Sequence, residues 1–433
     1  PMPSTDRRSP AHAALPRALR RALLLTLVLV LPVGLRGMPA AAGASDSSDV
    51  TVVRELTERR TAYGSTWLLS SGAYRTVLEQ APVHFQDAAG VWRDVDTSFV
   101  RNADGSYTTA AAAVTVSLAA PSSGGAPVTL GGPDGTLTLD LLDADEQDAL
   151  VLGDVARYGA VLPATDLVYQ ATGDGLKETI VLHSAEAPDV FTFTVTHPGL
   201  VLREQPALGW ALYADEAEEP VFLLGAINVC DSAGDEAGEP AWCDGAELLV
   251  SPGKGASTLT YTVPRAWLAD KARVWPVKID PTFATRNPTD IYIASGHPNT
   301  KYGQTDAQNL LCGQVSPDMG TCKSLVKFPQ VDDHGNVAHN AHVVAATLSL
   351  HQYWQPANPH DRVHVYRVYG TSTWGENSTW NSADITGKSE IEADRLAVHG
   401  EARLDVACAK AVQGWVSHTY NNRGFMVAQR STQ

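Results

Sequence analysis

Apolar and polar residues alternate along much of this chain. Phe191, Phe193 and Val195 are separated by Thr192 and Thr194 and followed by Thr196, the two-residue period of a half-buried strand. Leu137, Leu139 and Leu141 alternate around Thr138 and Asp140, and the stretch from Thr258 to Val263 repeats the pattern. Between such runs lie clusters of glycine and proline, as at Gly131-Gly132-Pro133-Asp134-Gly135, which mark tight turns. The same grammar returns later, with Ile291 and Ile293 around Tyr292, Leu325 with Phe328, Ala346 to Leu350, and Val363, Val365 and Val368. One helix is expected, because Cys408, Ala411, Val412, Trp415 and Val416 fall at helical spacing, with Trp415 as the core anchor. Val53 to Tyr63 reads as a short helix or a polar leader. Strands and helices do not alternate, so a doubly wound sheet is excluded and the pattern predicts an all-β protein of sandwiches or barrels.

The N-terminus departs from this pattern. Arg17, Arg20 and Arg21 precede an uninterrupted apolar run from Ala22 to Leu31, Pro32 breaks it, and small residues end at Ala42-Gly43-Ala44. This is the layout of an export signal with cleavage near Ala44. The competing reading is a membrane anchor, but ten helical residues rise about 15 Å, half of a bilayer core. No later segment is apolar enough to span a bilayer. The expectation is a secreted, extracellular protein, cell-wall associated, with no membrane contact after residues 1–44 are removed.

Charge divides the rest. The 433 residues carry a formal charge of −16, and the portion after residue 44 carries −21. Residues 45–280 hold 14 basic and 34 acidic residues, whereas residues 281–433 hold 12 and 13. Surfaces so different predict two domains, an acidic β-rich one over 45–282 and a second over 283–433. The acidic balance excludes a nucleic-acid partner at this level, because such binding needs a basic face. The chain opens at Pro1 and ends without a closing feature, which reads as part of something longer.

Five cysteines are too few for a disulfide scaffold. Cys230 and Cys243 flank one polar loop, and Cys312 and Cys322 flank another. In an oxidising compartment each pair is expected to close its loop, for about 3 kcal/mol by chain entropy. Cys408 is left as a buried thiol at an apolar helical position. The motifs of serine hydrolases, zinc proteases, phosphate-binding loops and dinucleotide folds are absent from the sequence. The run Asp143, Asp145, Gln147 begins like a calcium loop, but Asp148 stands where glycine is required and Asp154 where glutamate is. No cofactor is expected, and a structural calcium has no motif behind it. Asp332, Asp333, His334, His339 and His342 cluster as a metal site or, more simply, a solvated hairpin tip.

Several stretches carry a family resemblance. Val83-His84-Phe85-Gln86 followed by Gly90-Val91-Trp92-Arg93-Asp94-Val95-Asp96 resembles a hairpin in the N-terminal part of bacterial secreted wall-associated and RHS/YD-repeat proteins. Thr165 to Tyr169, Gly175 to Glu178, and Pro276 to Thr282 are similar to later signatures of that region. From Asp290 the chain resembles a DNRLRE domain, similar to carbohydrate-binding module family 96. The pieces are Asp290 to Ile293, Asn299 with Tyr302-Gly303, Ser324 to Phe328, Ala345 to Leu350, Val363 to Val368, Trp374-Gly375-Glu376 with Thr379-Trp380, Leu404 to Val406, and Asn422 to Phe425. Pro329 and the Cys312–Cys322 loop depart from that pattern. The resemblance implies a secreted, non-catalytic jelly-roll-type β-sandwich over 283–433 with one short helix, and a YD-repeat region downstream in the same protein.

On that reading the ligand is a polysaccharide or cell-wall glycan. Sugars are held by exposed aromatic faces with a few cationic groups. Tyr302 and Trp354 sit beside turn residues and are expected to be exposed. Trp374 and Trp380 serve either binding or core. Lys301, Lys323 and Arg367 would pair with an acidic glycan. The second expectation is a structural leader of an RHS-type toxin or wall protein without a ligand of its own. Neither expectation is enzymatic.

Overall fold

A computed structural model describes residues 26–31 and 50–429, except 121–126, 206–208, 216, 226, 234–240, 244, 281, 285–289, 303–309, 317–318, 332–336, 339–340, 353–361, 370–373, 376–377, 384, 386 and 397–401. The fold is all-β, with short helical segments including Ala409–Val416.

The middle of the chain is a two-sheet sandwich. One sheet runs from Glu247–Ser251 through Ala256–Thr262, Val190–Thr196 and Gly135–Leu141 to Asp96–Arg101. The facing sheet is built on Val155–Leu162, Thr165–Thr172 and Gly175–Leu182, antiparallel neighbours in sequence order. The alternating residues face inward as their period requires. Phe191, Phe193 and Val195 from one sheet and Leu167, Tyr169 and Ile180 from the other share one buried cluster. Gly175 is required where it stands, because a Cβ there would lie 2.0 Å from the carbonyl oxygen of Phe283 on the paired strand Thr282–Ala284.

The C-terminal portion forms a second sandwich. One sheet contains Asp290–Ala294, Gly320–Val326, Phe425–Gln429, Arg362–Tyr369 and Gly387–Leu396. The other contains Ala345–Gln352 and Ala402–Ala407. Trp415 is fully buried on the Ala409–Val416 helix, edge-on to Phe425 with ring centroids 4.8 Å apart. The helical spacing therefore gives a helix, with the expected anchor.

Two features differ from expectation. Val52–Glu55 is a strand and Thr57–Arg59 a 3-10 turn, in place of a helix or leader over 53–63. Thr26–Leu31, from the expected export signal, lies as a strand between Tyr74–Glu79 and Ala345–Gln352, antiparallel to both. Its alternating Thr, Val and Leu suit a strand, and two open sheet edges offer hydrogen-bond partners on both sides. Leu78 consequently shares a cluster with Phe328 and Trp415, and the Gln80 amide donates to the Lys327 carbonyl at 2.9 Å. The hairpin residues 64–79 thus pack with the C-terminal sandwich rather than with the middle one.

Candidate functional site

Among the described residues, those expected to meet a sugar do not gather into a platform. Tyr302 is buried, 2% exposed, not displayed beside its turn. Its ring stacks on Tyr292 at 4.5 Å and 20°, and Trp242 closes edge-on at 5.4 Å. Trp374 and Trp380 are half-buried against the Ile291, Leu325 and Met426 cluster. The Trp374 indole N–H donates to the Arg423 carbonyl at 2.8 Å. Lys323 Nζ stands 4.4 Å over the Trp380 ring, and the Arg367 guanidinium 3.9 Å over Tyr420, so both cations rest on aromatic faces of the chain itself. Lys301 is exposed. Trp354 lies outside the described residues, as do Asp332, Asp333, His334 and His339. Among the described residues no group of three or more His, Cys, Asp or Glu is placed to hold a metal ion. No helix among them is long and apolar enough to cross a membrane.

The cysteine pairs sit close in register but offset. Cys230 bridges to Trp242, so Cys243 lies one residue further on, its N–H donating to Val229. Gly313 pairs with Cys322, and Cys312 packs with the Val326 and Phe425 cluster whereas Cys322 belongs with Tyr292 and Tyr302. Cys408 is buried, and burial pushes its thiol up to about 12.

The described residues do assemble one outward-facing polar group that the sequence analysis missed. Arg157, Asp166 and His183 come from the three consecutive strands of the middle sandwich, or from the end of the last of them. Asp166 sits at an outward position of Thr165–Thr172, yet its side chain is only 7% exposed, because its neighbours cover it. Arg157 Nε donates to Asp166 Oδ2 at 2.8 Å, Arg157 Nη2 donates to the same oxygen, and His183 Nε2 meets it at 2.8 Å. Asp166 Oδ1 accepts the Ala160 N–H at 2.8 Å. Burial works to raise the Asp166 pKa, but the Ala160 N–H, Arg157 and His183 outweigh it and hold the carboxyl below its ordinary value. Arg157 and His183 themselves stay about 40% exposed.

The backbone beneath this group is distorted. The ladder between Val155–Leu162 and Thr165–Thr172 shifts register between Tyr158 and Leu162, a bulge. Ala160 within it and Ala164 in the following turn have φ of 53° and 48°. A left-handed alanine costs roughly 1–2 kcal/mol. The bulge aims the Ala160 N–H at Asp166, as bulges near functional sites do. The only sequence signal was the Thr165-Asp166-Leu167 stretch, singled out as a family signature and not for its chemistry.

With this geometry described, the comparisons with known proteins correct the earlier expectations. No protein-family model and no solved structure matches the chain. Curated relatives do match. They are the tRNA3(Ser)-specific nuclease WapA of Bacillus spizizenii, 24% identical over 86% of this chain, and the tRNA(Glu)-specific nuclease WapA of Bacillus subtilis subsp. natto and the tRNA nuclease WapA of Bacillus subtilis strain 168, each also 24% identical over 86%. This chain spans 16% of the length of each. The resemblance to DNRLRE and family 96 carbohydrate-binding modules, and that to RHS/YD-repeat proteins, are therefore not sustained. Relatives named as nucleases overturn three further expectations: a non-catalytic polysaccharide-binding or ligand-free protein, a glycan partner, and the exclusion of nucleic acid. The exclusion failed for a physical reason. Net charge describes the surface of this chain alone, and it says nothing of the greater part of the relatives' length, which the match does not cover.

Proposed function

We propose that this chain is a segment of an exported, wall-associated nuclease that cleaves tRNA. The observation that carries this reading is the match, over 86% of the chain, to proteins named tRNA nucleases. Because the chain spans 16% of their length, cleavage is proposed for the whole polypeptide. Within it the segment supplies a β platform of two sandwiches, with outward polar groups that include Arg157, Asp166 and His183 and, elsewhere, Arg60 with Glu55 and Asp94. Export rests on the basic, apolar and small-residue layout of residues 17–44; cleavage near Ala44 takes Thr26–Leu31 out of its sheet and leaves the edges of Tyr74–Glu79 and Ala345–Gln352 that it paired open. The platform divides near residue 282 into an acidic unit and a near-neutral one, except that the hairpin residues 64–79 pack with the second, and Cys230 with Cys243 closes a loop of the first by a disulfide once outside the cell. The longer polypeptide, expressed in a bacterial cytoplasm without residues 1–44, should leave cut tRNA in the cell extract. Undamaged tRNA at full expression would overturn the reading.

A further inference from the structure

Thr26–Leu31 lies inside a sheet, between Tyr74–Glu79 and Ala345–Gln352, yet it belongs to the stretch that export removes. We propose that its place becomes a strand-binding slot in the exported protein, and that the slot takes an extended, uncharged segment of a partner polypeptide. The proposal rests on cleavage near Ala44 and is independent of tRNA cleavage.

Backbone geometry defines the slot. Both edges run antiparallel to Thr26–Leu31, so they are parallel to each other. One strand between them sets them two ladder spacings, or about 10 Å, apart, too far to hydrogen-bond directly. In an antiparallel ladder the N–H and C=O of one residue point to the same side, and those of its neighbours to the other. The Glu79 N–H is spent on the Tyr63 carbonyl, and the Ala346 carbonyl accepts the Cys408 N–H. By alternation, Thr76 and Leu78 on one edge and Ala345, Thr347 and Ser349 on the other turn their backbone groups toward the slot. The register agrees, because Leu27 and Leu29 stand across from Leu78 and Thr76, and Thr26, Val28 and Val30 across from Ser349, Thr347 and Ala345. Each residue of the seated strand thus serves one edge.

Packing holds the slot open. Leu78 and Leu348, on opposite edges, share the cluster of Phe328 and Trp415, and the Gln80 amide donates to the Lys327 carbonyl. Closing the sheet would drag the hairpin about 5 Å, one ladder spacing, across that packing. The slot also selects its occupant. Positions 27 and 29 fall in the rows of Leu78 with Leu348 and of Thr76 with Ala346, and these four residues are all buried. The occupant therefore needs apolar residues at its second and fourth positions, since a charge there would be buried without a partner. A strand added to open edges gains affinity from main-chain hydrogen bonds and specificity from alternate side chains. The other described strands already pair within their own sheets. Neither this chain nor a second copy has a strand to spare among the described residues, which points to a different polypeptide.

The test uses the exported form, residues 45–433, and a fluorescent peptide carrying residues 26–31 between terminal lysines. Anisotropy should rise saturably as the chain is added. N-methylation of Leu27 removes one backbone donor and leaves every side chain, so it should weaken binding about tenfold or more. Leu29→Asp in the peptide should weaken it at least as much. Hydrogen exchange resolved by residue should show the peptide protecting the amides of Thr76, Leu78, Ala345, Thr347 and Ser349. A flat titration, an N-methylated peptide that binds as the parent does, or protection confined to other amides would overturn the slot. Chains that self-associate through these edges without peptide would assign them to a second copy and overturn it too. N-terminal sequencing of the exported protein reports separately on cleavage: a start before Thr26 sinks the cleavage reading and with it the open slot, whereas a failed titration sinks the slot alone.

Discussion

Glu178 lies where a hydrophobic residue would ordinarily stand. On the strand Gly175–Leu182 it occupies the inward series with Leu176, Ile180 and Leu182, all fully buried, and it faces Tyr169 across the ladder. Neither carboxyl oxygen has a hydrogen-bond partner among the described residues. Burial, and after it the charge of Asp280, push its pKa well above the ordinary carboxylate range. The folded state therefore binds this proton more tightly than the unfolded chain does. Stability is fully present below the ordinary glutamate value and is lost as pH rises toward the folded value. The slope over that interval is about 1.4 kcal/mol per pH unit, or roughly 3–6 °C of melting temperature per unit for a domain of 150–250 residues. Glu178→Leu removes the titration and keeps a side chain of similar bulk. Melting curves of wild type and variant from pH 4.5 to 8.5 should show a gap that widens with pH in favour of the variant. A gap that stays constant across this range would refute the reasoning.

Other consequences follow from the packing. Arg273 and Asp231 form a buried pair at 3.1 Å, and Asp231 also accepts the N–H groups of Ala233, Ala241 and Val274; Asp231→Ala should cost about 3–5 kcal/mol by the shift of the urea midpoint, and a midpoint near wild type would contradict it. Tyr302→Ala should lower stability by about 3–5 kcal/mol, because it empties a site between Tyr292 and Trp242; a stable variant would return Tyr302 to the surface. Non-reducing peptide maps of the exported protein should link Cys230 to Cys243, and a Cys230–Cys312 link would sink both that pairing and the division near residue 282. Cys408, with its thiol pushed up to about 12 by burial, should resist alkylation until the chain unfolds; rapid native labelling would contradict its placement.

The sandwiches were legible because a period of two is a local signal. Phe191, Phe193 and Val195 turned inward as their spacing required, and Trp415 did so on its helix. Glu178 broke the same pattern and could not be recognised, since Lys177-Glu178 reads as an ordinary polar pair until register fixes which residue points inward. Tyr302 misled for a related reason. Turn residues beside it suggested exposure, but its environment comes from Tyr292 on the preceding strand and from Trp242, which is far away in sequence. Arg157, Asp166 and His183 were invisible as a group, because only the antiparallel register and the bulge at Tyr158–Leu162 bring positions so far apart together. The aromatic and cationic residues proposed for sugar were real surface chemistry by composition, and the fold spends much of it internally, with Lys323 on Trp380 and Arg367 on Tyr420.

The central claim is that this segment belongs to a tRNA-cleaving polypeptide. Its most direct test is to purify that longer polypeptide, incubate it with bulk tRNA and, separately, with double-stranded DNA, and map any new ends. The account predicts discrete new ends in tRNA and intact DNA. Intact tRNA, with a polypeptide shown to be folded by its melting transition, would contradict it.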